Sequence, residues 1–379
     1  MKAGWQSISF EDCIEKVVYS AKIQRKDFLG CGNYPVISQE DGLINGYWNN
    51  EEDLFLVEKP LVVFGDHTKI LKFVDFDFVL GADGVKILQP RDFLDSRFFY
   101  YQLQGVKLDT LGYARHYKLL KELEIKYPHL PEQQRIVTIL DEAFEGIAKA
   151  TANAKKNLTN ARELFESYLQ SIFENKGEGW NDAAFEDLVD ANCTLSYGIV
   201  QPGDEFQNGL PVIRPTDLTS KFISLVGLKR INPLLADSYK RTTLVGTELL
   251  LCVRGSTGVV SIALQELKGA NVTRGIVPIR FNSNIIHQSF GYYLLVSSYT
   301  QRQIKSKTYG AALMQINIGD LRKITLPFPS LNRQQNIVAK LDELSTETKK
   351  LEAIYQQKLT ALDELKKSIL NQAFSGQLN

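Results

Sequence analysis

The sequence predicts an α+β protein in which two globular α/β halves are separated by two long antiparallel coiled-coil helices, related as a pseudo-two-fold internal repeat. Three observations carry this prediction. A stretch near the middle of the chain returns at its end, shorter echoes mark where each copy starts, and each globular stretch is followed by a run of helical periodicity.

The starts come first. Gly4-Trp5 and Phe10-Glu11-Asp12 recur 175 residues on as Gly179-Trp180 and Phe185-Glu186-Asp187. Then Leu130-Pro-Glu-Gln-Gln-Arg-Ile-Val-Thr-Ile-Leu-Asp-Glu142 and Leu331-Asn-Arg-Gln-Gln-Asn-Ile-Val-Ala-Lys-Leu-Asp-Glu343 agree at eight of thirteen places, 201 residues apart. The same offset relates Leu158, Glu163, Leu164, Leu169 and Phe173 to Leu359, Glu364, Leu365, Leu370 and Phe374. The 379 residues therefore divide into globular halves at 1–130 and 178–330 and long helices at 131–177 and 331–379.

Within the halves, Leu54 to Phe64, Val85 to Leu88, Leu249 to Val253, Val259 to Ile262 and Ile276 to Phe281 are short apolar or β-branched runs cut by Gly and Pro, and read as strands. Helical stretches lie near Phe98 to Leu103 and Phe290 to Val296, with no βαβ rhythm. The central helix begins at Pro131, where a missing N–H costs nothing, and stops at Lys176-Gly177. Leu140, Phe144, Ile147, Thr151, Ala154, Leu158, Ala161, Phe165, Tyr168 and Ile172 alternate by four and three, the seam of a coiled coil. The second helix starts without the proline, at Asn332, and its looser seam is Leu341, Leu344, Leu351, Tyr355, Leu362, Leu365 and Ile369. At 1.5 Å per residue each helix spans on the order of 65 Å.

Composition bounds the function. With 44 basic and 44 acidic residues the net charge is zero, which excludes a uniformly basic nucleic-acid binder but not a basic face. Residues 1–130 hold 16 basic and 19 acidic side chains, and residues 178–330 hold 15 and 12. The start has no signal-peptide pattern and no run is apolar enough to span a membrane, so a cytoplasmic protein without membrane association is expected. Cys13, Cys31, Cys193 and Cys252 are scattered, as are the four histidines, so neither a disulfide framework nor a metal site is expected. Phosphate-loop, dinucleotide, zinc-protease and nucleophile-elbow motifs are absent. No catalytic residue and no cofactor is assigned.

The loops instead suit DNA. Arg214, Arg230, Arg241, Arg254, Arg274 and Arg280 accompany the stretches Gly198 to Gly203, Gly255-Ser-Thr-Gly258 and Gln315-Ile-Asn317 in the second half. Arginine reads guanine bidentately, Gln and Asn read adenine, and Gly with Ser or Thr lets backbone approach phosphate. In the first half, Gly112-Tyr-Ala-Arg-His-Tyr-Lys118 interleaves cations with aromatics. The DNA-contacting set is therefore Gly65, His67, Tyr113, Arg115, His116 and Lys118 in the first half, and Gln201, Arg214, Arg254, Ser256, Thr257, Arg274, Gln315 and Asn317 in the second.

Two variable halves, each followed by Leu-x-x-Gln-Gln-x-Ile-Val and a long helix, resemble the specificity subunit of Type I restriction-modification systems, and the resemblance covers essentially the whole chain. Its carriers are Leu130 to Val137, Leu331 to Val338 and the closing stretch Leu370 to Leu378. The first half is also similar to recognition domains carrying Phe-Gly-Asp-His-Thr, here Phe64 to Thr68, and Gly-Tyr-x-Arg-His-Tyr, here Gly112 to Tyr117. The resemblance implies a non-catalytic subunit with two target-recognition domains, each reading half of a bipartite asymmetric site in double-stranded DNA, and helices that set the spacer. It further implies assembly with two copies of a methyltransferase subunit, which binds S-adenosylmethionine, and with restriction subunits. Gln133, Gln134, Gln334 and Gln335, present in both copies, are the expected partner contacts, the alternative being that they cap or satisfy backbone at the helix start. The competing readings are a coiled-coil scaffold that binds only protein and a self-contained DNA-modifying enzyme with an unrecognised site.

Overall fold

In the computed structural model, residues 4–375 and 377 are described, apart from 110, 111, 113 and 312. The chain forms two compact units, Met1–Lys156 with Tyr355–Asn379, and Asn157–Ile354. Two continuous helices, Leu130–Glu174 and Leu331–Ser375, each run from one unit into the other. No helix among the described residues is long and apolar enough to cross a membrane, and no group of metal-ligating side chains occurs among them.

In the first unit, strand Leu61–Gly65 pairs antiparallel with Leu71–Val74 on one side and Val85–Leu88 on the other. A second sheet is built on Phe78–Gly81, which runs parallel to Tyr34–Ile37 and to Lys22–Ile23. Strands Gln6–Ser9 and Glu124–Tyr127 close the unit beside the long helix. The single run expected from Leu54 to Phe64 is two strands, Leu54–Phe55 and Leu61–Gly65, because Pro60 interrupts it.

The second unit repeats this plan. Leu249–Cys252 sits between Val260–Ala263 and Ile276–Ile279, while Leu210–Ile213 runs parallel to Asn271–Val272. Tyr34-Pro-Val-Ile37 and Leu210-Pro-Val-Ile213 hold the same place in the two sheets, an echo that sequence reading missed. Strands Asn181–Ala184 and Thr325–Phe328 pair as their counterparts do.

In each unit the two helical segments run antiparallel. Arg162 meets Glu352 at 2.9 Å, and Gly177 lies against Arg333, within the second unit. In the first, Phe144 lies under Lys366, and Leu140 shares a core with Leu370 and Ala373. Every seam position expected on the first helix is buried or half-buried. On the second helix Leu351 and Leu365 are 38% and 47% exposed, a correction to the expected seam. Thr348, 3% exposed, and half-buried Lys366 occupy inward positions instead. Both are tolerated for physical reasons: the Thr348 hydroxyl donates to the Leu344 carbonyl at 2.9 Å, and the Lys366 ammonium sits 5.1 Å over the Phe144 ring.

Aromatic packing docks the helices. Phe98, on the helix Ser96–Gly105, meets Phe374 edge-on at 5.1 Å, and Tyr101 meets Phe144 at 5.2 Å. In the second unit Phe173 packs on Phe290, of the helix Gln288–Val296, at 5.7 Å. Full burial of such a side chain contributes roughly 1.5–3 kcal/mol, so a few of these contacts outweigh any helix-propensity term.

Polar locks recur at each docking site. The Gln133 side chain, fully buried, accepts the N–H of Asp95 at 2.8 Å and donates to the carbonyls of Phe93 and Pro128 at 2.9 and 2.8 Å. Gln334, equally buried, accepts the N–H of His287 at 2.8 Å and donates to Ile285 and Pro329 at 2.7 and 2.8 Å. Asp95 and His287 are the N-cap residues of the short helices Ser96–Gly105 and Gln288–Val296. Two turns on, Asp141 accepts from the Tyr101 hydroxyl and from Arg97 Nε, and Asp342 accepts from the Tyr293 hydroxyl and from Lys221.

These locks make two predictions. Gln133→Leu strands one N–H and two carbonyls and should cost about 2–4 kcal/mol of stability, whereas Gln134→Leu, on the exposed side, should stay within about 0.5 kcal/mol; urea denaturation of the two variants makes the comparison. Burial first, and then the Asp141 carboxylate, push the Tyr101 phenol up to about 12. Because the folded value lies above the unfolded one, the stabilisation is complete below pH ~10 and lost as pH rises through ~12. Alkaline unfolding followed by circular dichroism should therefore lose part of its dependence over that window in Tyr101→Phe.

Candidate nucleic-acid interface

In the second unit, backbone hydrogen bonds gather loops that are far apart in sequence. The Arg274 N–H donates to Ile199 at 2.8 Å, that of Thr273 to Ile213 at 2.9 Å, and that of Val253 to Gly275 at 2.8 Å. Arg214, Arg254 and Arg274 thus stand within one residue of bonds that join three neighbouring stretches of chain. Residue 198 must be glycine for this closure, since a Cβ there would lie 2.0 Å from the Val272 carbonyl oxygen. A tight hairpin adds the next pieces. Tyr309 and Gln315 exchange backbone bonds of 2.9 Å, Arg254 bridges Gln315, and the Gly255 N–H donates to Met314 at 2.8 Å.

The side chains differ in what they have left to offer. Arg274, Gln201, Ser256 and Asn317 are exposed, and Arg254 and Gln315 are half-buried. The Arg254 Nε–H is buried with no hydrogen-bond partner among the described residues. Arg214 grips Asp217 through Nε and Nη2 at 3.1 and 2.9 Å, so that edge is committed, while the side chain is still partly exposed. The Thr257 hydroxyl donates to the Met314 carbonyl at 3.1 Å, and Asn317 accepts from the Tyr309 hydroxyl at 2.6 Å. Of the other arginines singled out, Arg280 pairs with Glu248, which is 1% exposed, and Arg230 donates to the Gly209 carbonyl at 2.9 Å. Both serve the fold.

The first unit is organised around Asp66, which is 1% exposed. Its N–H donates to Gly84 at 2.7 Å, its carbonyl accepts the N–H of His116 at 2.8 Å, and its carboxylate accepts the N–H of Tyr117 at 2.7 Å. This one residue ties its own loop to two others, at Gly84 and at His116-Tyr117. Gln39 supports it, since its side-chain carbonyl accepts the His67 N–H at 3.2 Å and its backbone carbonyl the Thr68 hydroxyl at 2.6 Å. Residue-type reasoning nominated neither Asp66 nor Gln39 as an organiser.

Four expected contacts are corrected here. His116 is 1% exposed with Nδ1 3.0 Å from the Asp66 carbonyl, so its ring belongs to the loop's interior rather than to a DNA-facing surface. Gly65 is buried, its N–H donates to Ile70 at 2.8 Å, and a Cβ there would lie 2.3 Å from the Thr68 hydroxyl; close packing, not phosphate, requires the glycine. Gln133 and Gln334 are buried locks and cannot meet a partner, whereas Gln134 and Gln335 are exposed. Arg115 and Lys118 are exposed and His67 is half-buried, while Tyr113 lies outside the described residues.

Two cations missing from the sequence-based set join this region. Lys22 and Lys86 stand on strands Lys22–Ile23 and Val85–Leu88, beside the loop that Asp66 holds. Lys86 carried the one available clue, a lysine interrupting an otherwise apolar strand; Lys22 carried none, since its neighbours in space are remote in sequence.

Comparison with known proteins gives consistent matches. The family described as the Type I restriction modification DNA specificity domain matches residues 2–160 and 178–361. The chain is 24% identical over 366 residues to the Type I restriction enzyme EcoBI specificity subunit of Escherichia coli, covering 88% of this chain and 75% of that protein. It is 20% identical over 403 residues to the MjaVIII specificity subunit of Methanocaldococcus jannaschii, covering 99% and 93%. In fold it matches the HsdS subunit from Thermoanaerobacter tengcongensis with a TM-score of 0.60 and 17% identity, over 100% of this chain and 98% of that one. A chain solved in work on complex assembly and conformational transition of the type I R-M system matches with a TM-score of 0.72 and 17% identity, over 99% of each.

The Asp66 hub has a direct test. Asp66→Ala leaves the Tyr117 N–H without its acceptor and should cost about 1–3 kcal/mol, with faster amide hydrogen exchange concentrated at Tyr117 and its neighbours. Unchanged exchange there would show that the carboxylate does not hold the loop.

Proposed function

This chain belongs to the family of Type I restriction-modification DNA specificity subunits, and from that premise we propose that each globular half reads one half of a bipartite, asymmetric duplex site. As a specificity subunit it recognises DNA and is not itself catalytic. The observation that carries the finer reading is the unlike chemistry at equivalent places in the two copies. The second half gathers Arg214, Arg254, Arg274 and Gln315 around one loop junction, and the first presents His67, Arg115 and Lys118 around Asp66. Different side chains address different base edges, so the two half-sites differ.

In this reading Arg254 and Arg274 address base edges and Gln201, Gln315 and Asn317 complete the second half-site, with Ser256 and Thr257 close to phosphate. The unpartnered Arg254 Nε–H is the group with most to gain from an acceptor. The long helices fix the spacer between half-sites. Their exposed faces dock two methyltransferase subunits, which carry S-adenosylmethionine, with Gln134 and Gln335 as equivalent contacts in the two copies. Restriction subunits join that core.

The test is to co-express the chain with its methyltransferase subunit and map methylated sequences, against that subunit alone. A chain-dependent bipartite motif is expected. Arg254→Ala should relax one position of one half-site, at a cost of about 1–3 kcal/mol in discrimination, and leave the other half-site intact. Equal weakening on all sequences would remove its readout role, and a continuous or chain-independent motif would overturn the reading.

A further inference from the structure

The first half carries more acidic than basic side chains, 19 against 16 over residues 1–130, so a DNA-facing surface there needs its cations concentrated. Several cations of this half are neutralised locally: Arg25 pairs with Glu40, Lys59 with Asp92 and Lys121 with Glu11. Lys22, Lys86 and Arg115 differ. Among the described residues none of them takes part in an ion pair, and all three lie around the loop that joins Gly81 to Val85. Partial burial, then the charge of Lys86, push the Lys22 amine below its ordinary value; Asp83 opposes them and Arg115 adds to the effect.

Aromatic rings hold the two ammonium groups in place. Lys22 Nζ lies 4.8 Å over the Tyr19 ring, and Lys86 Nζ lies 5.3 Å over that of Tyr117. The Tyr19 hydroxyl accepts the Ile87 N–H at 3.0 Å, which ties the Lys22 strand to the strand carrying Lys86. Tyr117 in turn is fixed by its N–H to Asp66 and follows Arg115 by two residues. Like charges crowded on these supports, opposed by Asp83 but in no ion pair among the described residues, are unfavourable alone and suit an anion that bridges them. A lysine ammonium is a point charge that suits phosphate more than a base edge.

We propose that Lys22 and Lys86 form a clamp for a phosphodiester of the DNA backbone, seating the strand whose bases Arg115 addresses. The inference rests on the reading of the first half as a DNA-recognition domain and adds to it a positioning site.

The test uses the full-length chain co-purified with its methyltransferase subunit and measures binding to duplexes containing the methylated motif and to unrelated duplexes, over a salt series. Lys22→Ala and Lys86→Ala should each weaken binding roughly fivefold near 0.15 M salt on all sequences alike, and make the log–log salt slope shallower by about 0.9 per lysine. Lys22→Arg and Lys86→Arg should retain both. An unchanged slope, a loss confined to one base position, or arginine variants as weak as the alanine ones would overturn the clamp. Arg115→Ala separates the two levels: if it alters the methylated motif while the lysine variants are silent, the clamp alone fails, and if it too is silent, the DNA-reading role of this half fails with it.

Discussion

The constraint on which the rest depends is a buried glutamine at the start of each long helix. Gln133 and Gln334 each satisfy a backbone N–H at the N-cap of a short helix and two loop carbonyls, within an otherwise apolar junction. A side-chain amide is suited to this because it offers an acceptor and two donors in one plane. An apolar residue could fill the volume and would leave three backbone groups without partners. The junction sets the direction in which the helix leaves the globular part, and the aromatic contacts Phe98–Phe374 and Phe173–Phe290 then hold that direction. Helix start, short helix and terminal strand pair are thus oriented together.

From that frame outward the order of causes is plain. The sheets supply rigid strand ends, strand ends supply loops, and backbone hydrogen bonds between loops bring remote residues to one place. The two halves use different means to the same end. Asp66 concentrates three loop contacts in one residue in the first half, and the second half distributes them over Ile199, Ile213, Gly275 and the hairpin Tyr309 to Gln315. Recognition chemistry can differ between the halves while the central strand pairings that support it are shared.

Much of the architecture was legible in the sequence because periodicity reports burial directly. The seam from Leu140 to Ile172 is inward-facing throughout, and the strands around Val85, Leu249 and Ile276 lie where apolar runs end at Gly or Pro. Reading by apolar letters failed where a polar side chain has a private solution: Thr348 bonds its own helix and Lys366 lies over a ring, so Leu351 and Leu365 were placed inward in their stead. The candidate interface was legible only in part. Arg254, Arg274 and Gln315 do converge, yet His116, Gln133 and Gln334 were read as surface groups because residue type does not reveal which polar side chains close an interior bond. Asp66, Lys22 and Lys86 derive their roles from contacts across the fold, and no local pattern encodes those.

The wiring of the glutamine junctions also bears on how such a chain can be recombined. Among the described residues, the side-chain partners of Gln133 lie between Phe93 and Pro128, and those of Gln334 between Ile285 and Pro329. A globular half transplanted together with the first turn of the helix that follows it therefore brings its joint complete. A splice placed just downstream of the glutamine crosses a segment that both copies share, so the packed Leu140 and Asp141 are exchanged for the identical Leu341 and Asp342. The seam between Gln and Leu-Asp-Glu is, in effect, a standard fitting, at which one reading head could be exchanged for another without redesigning the shaft.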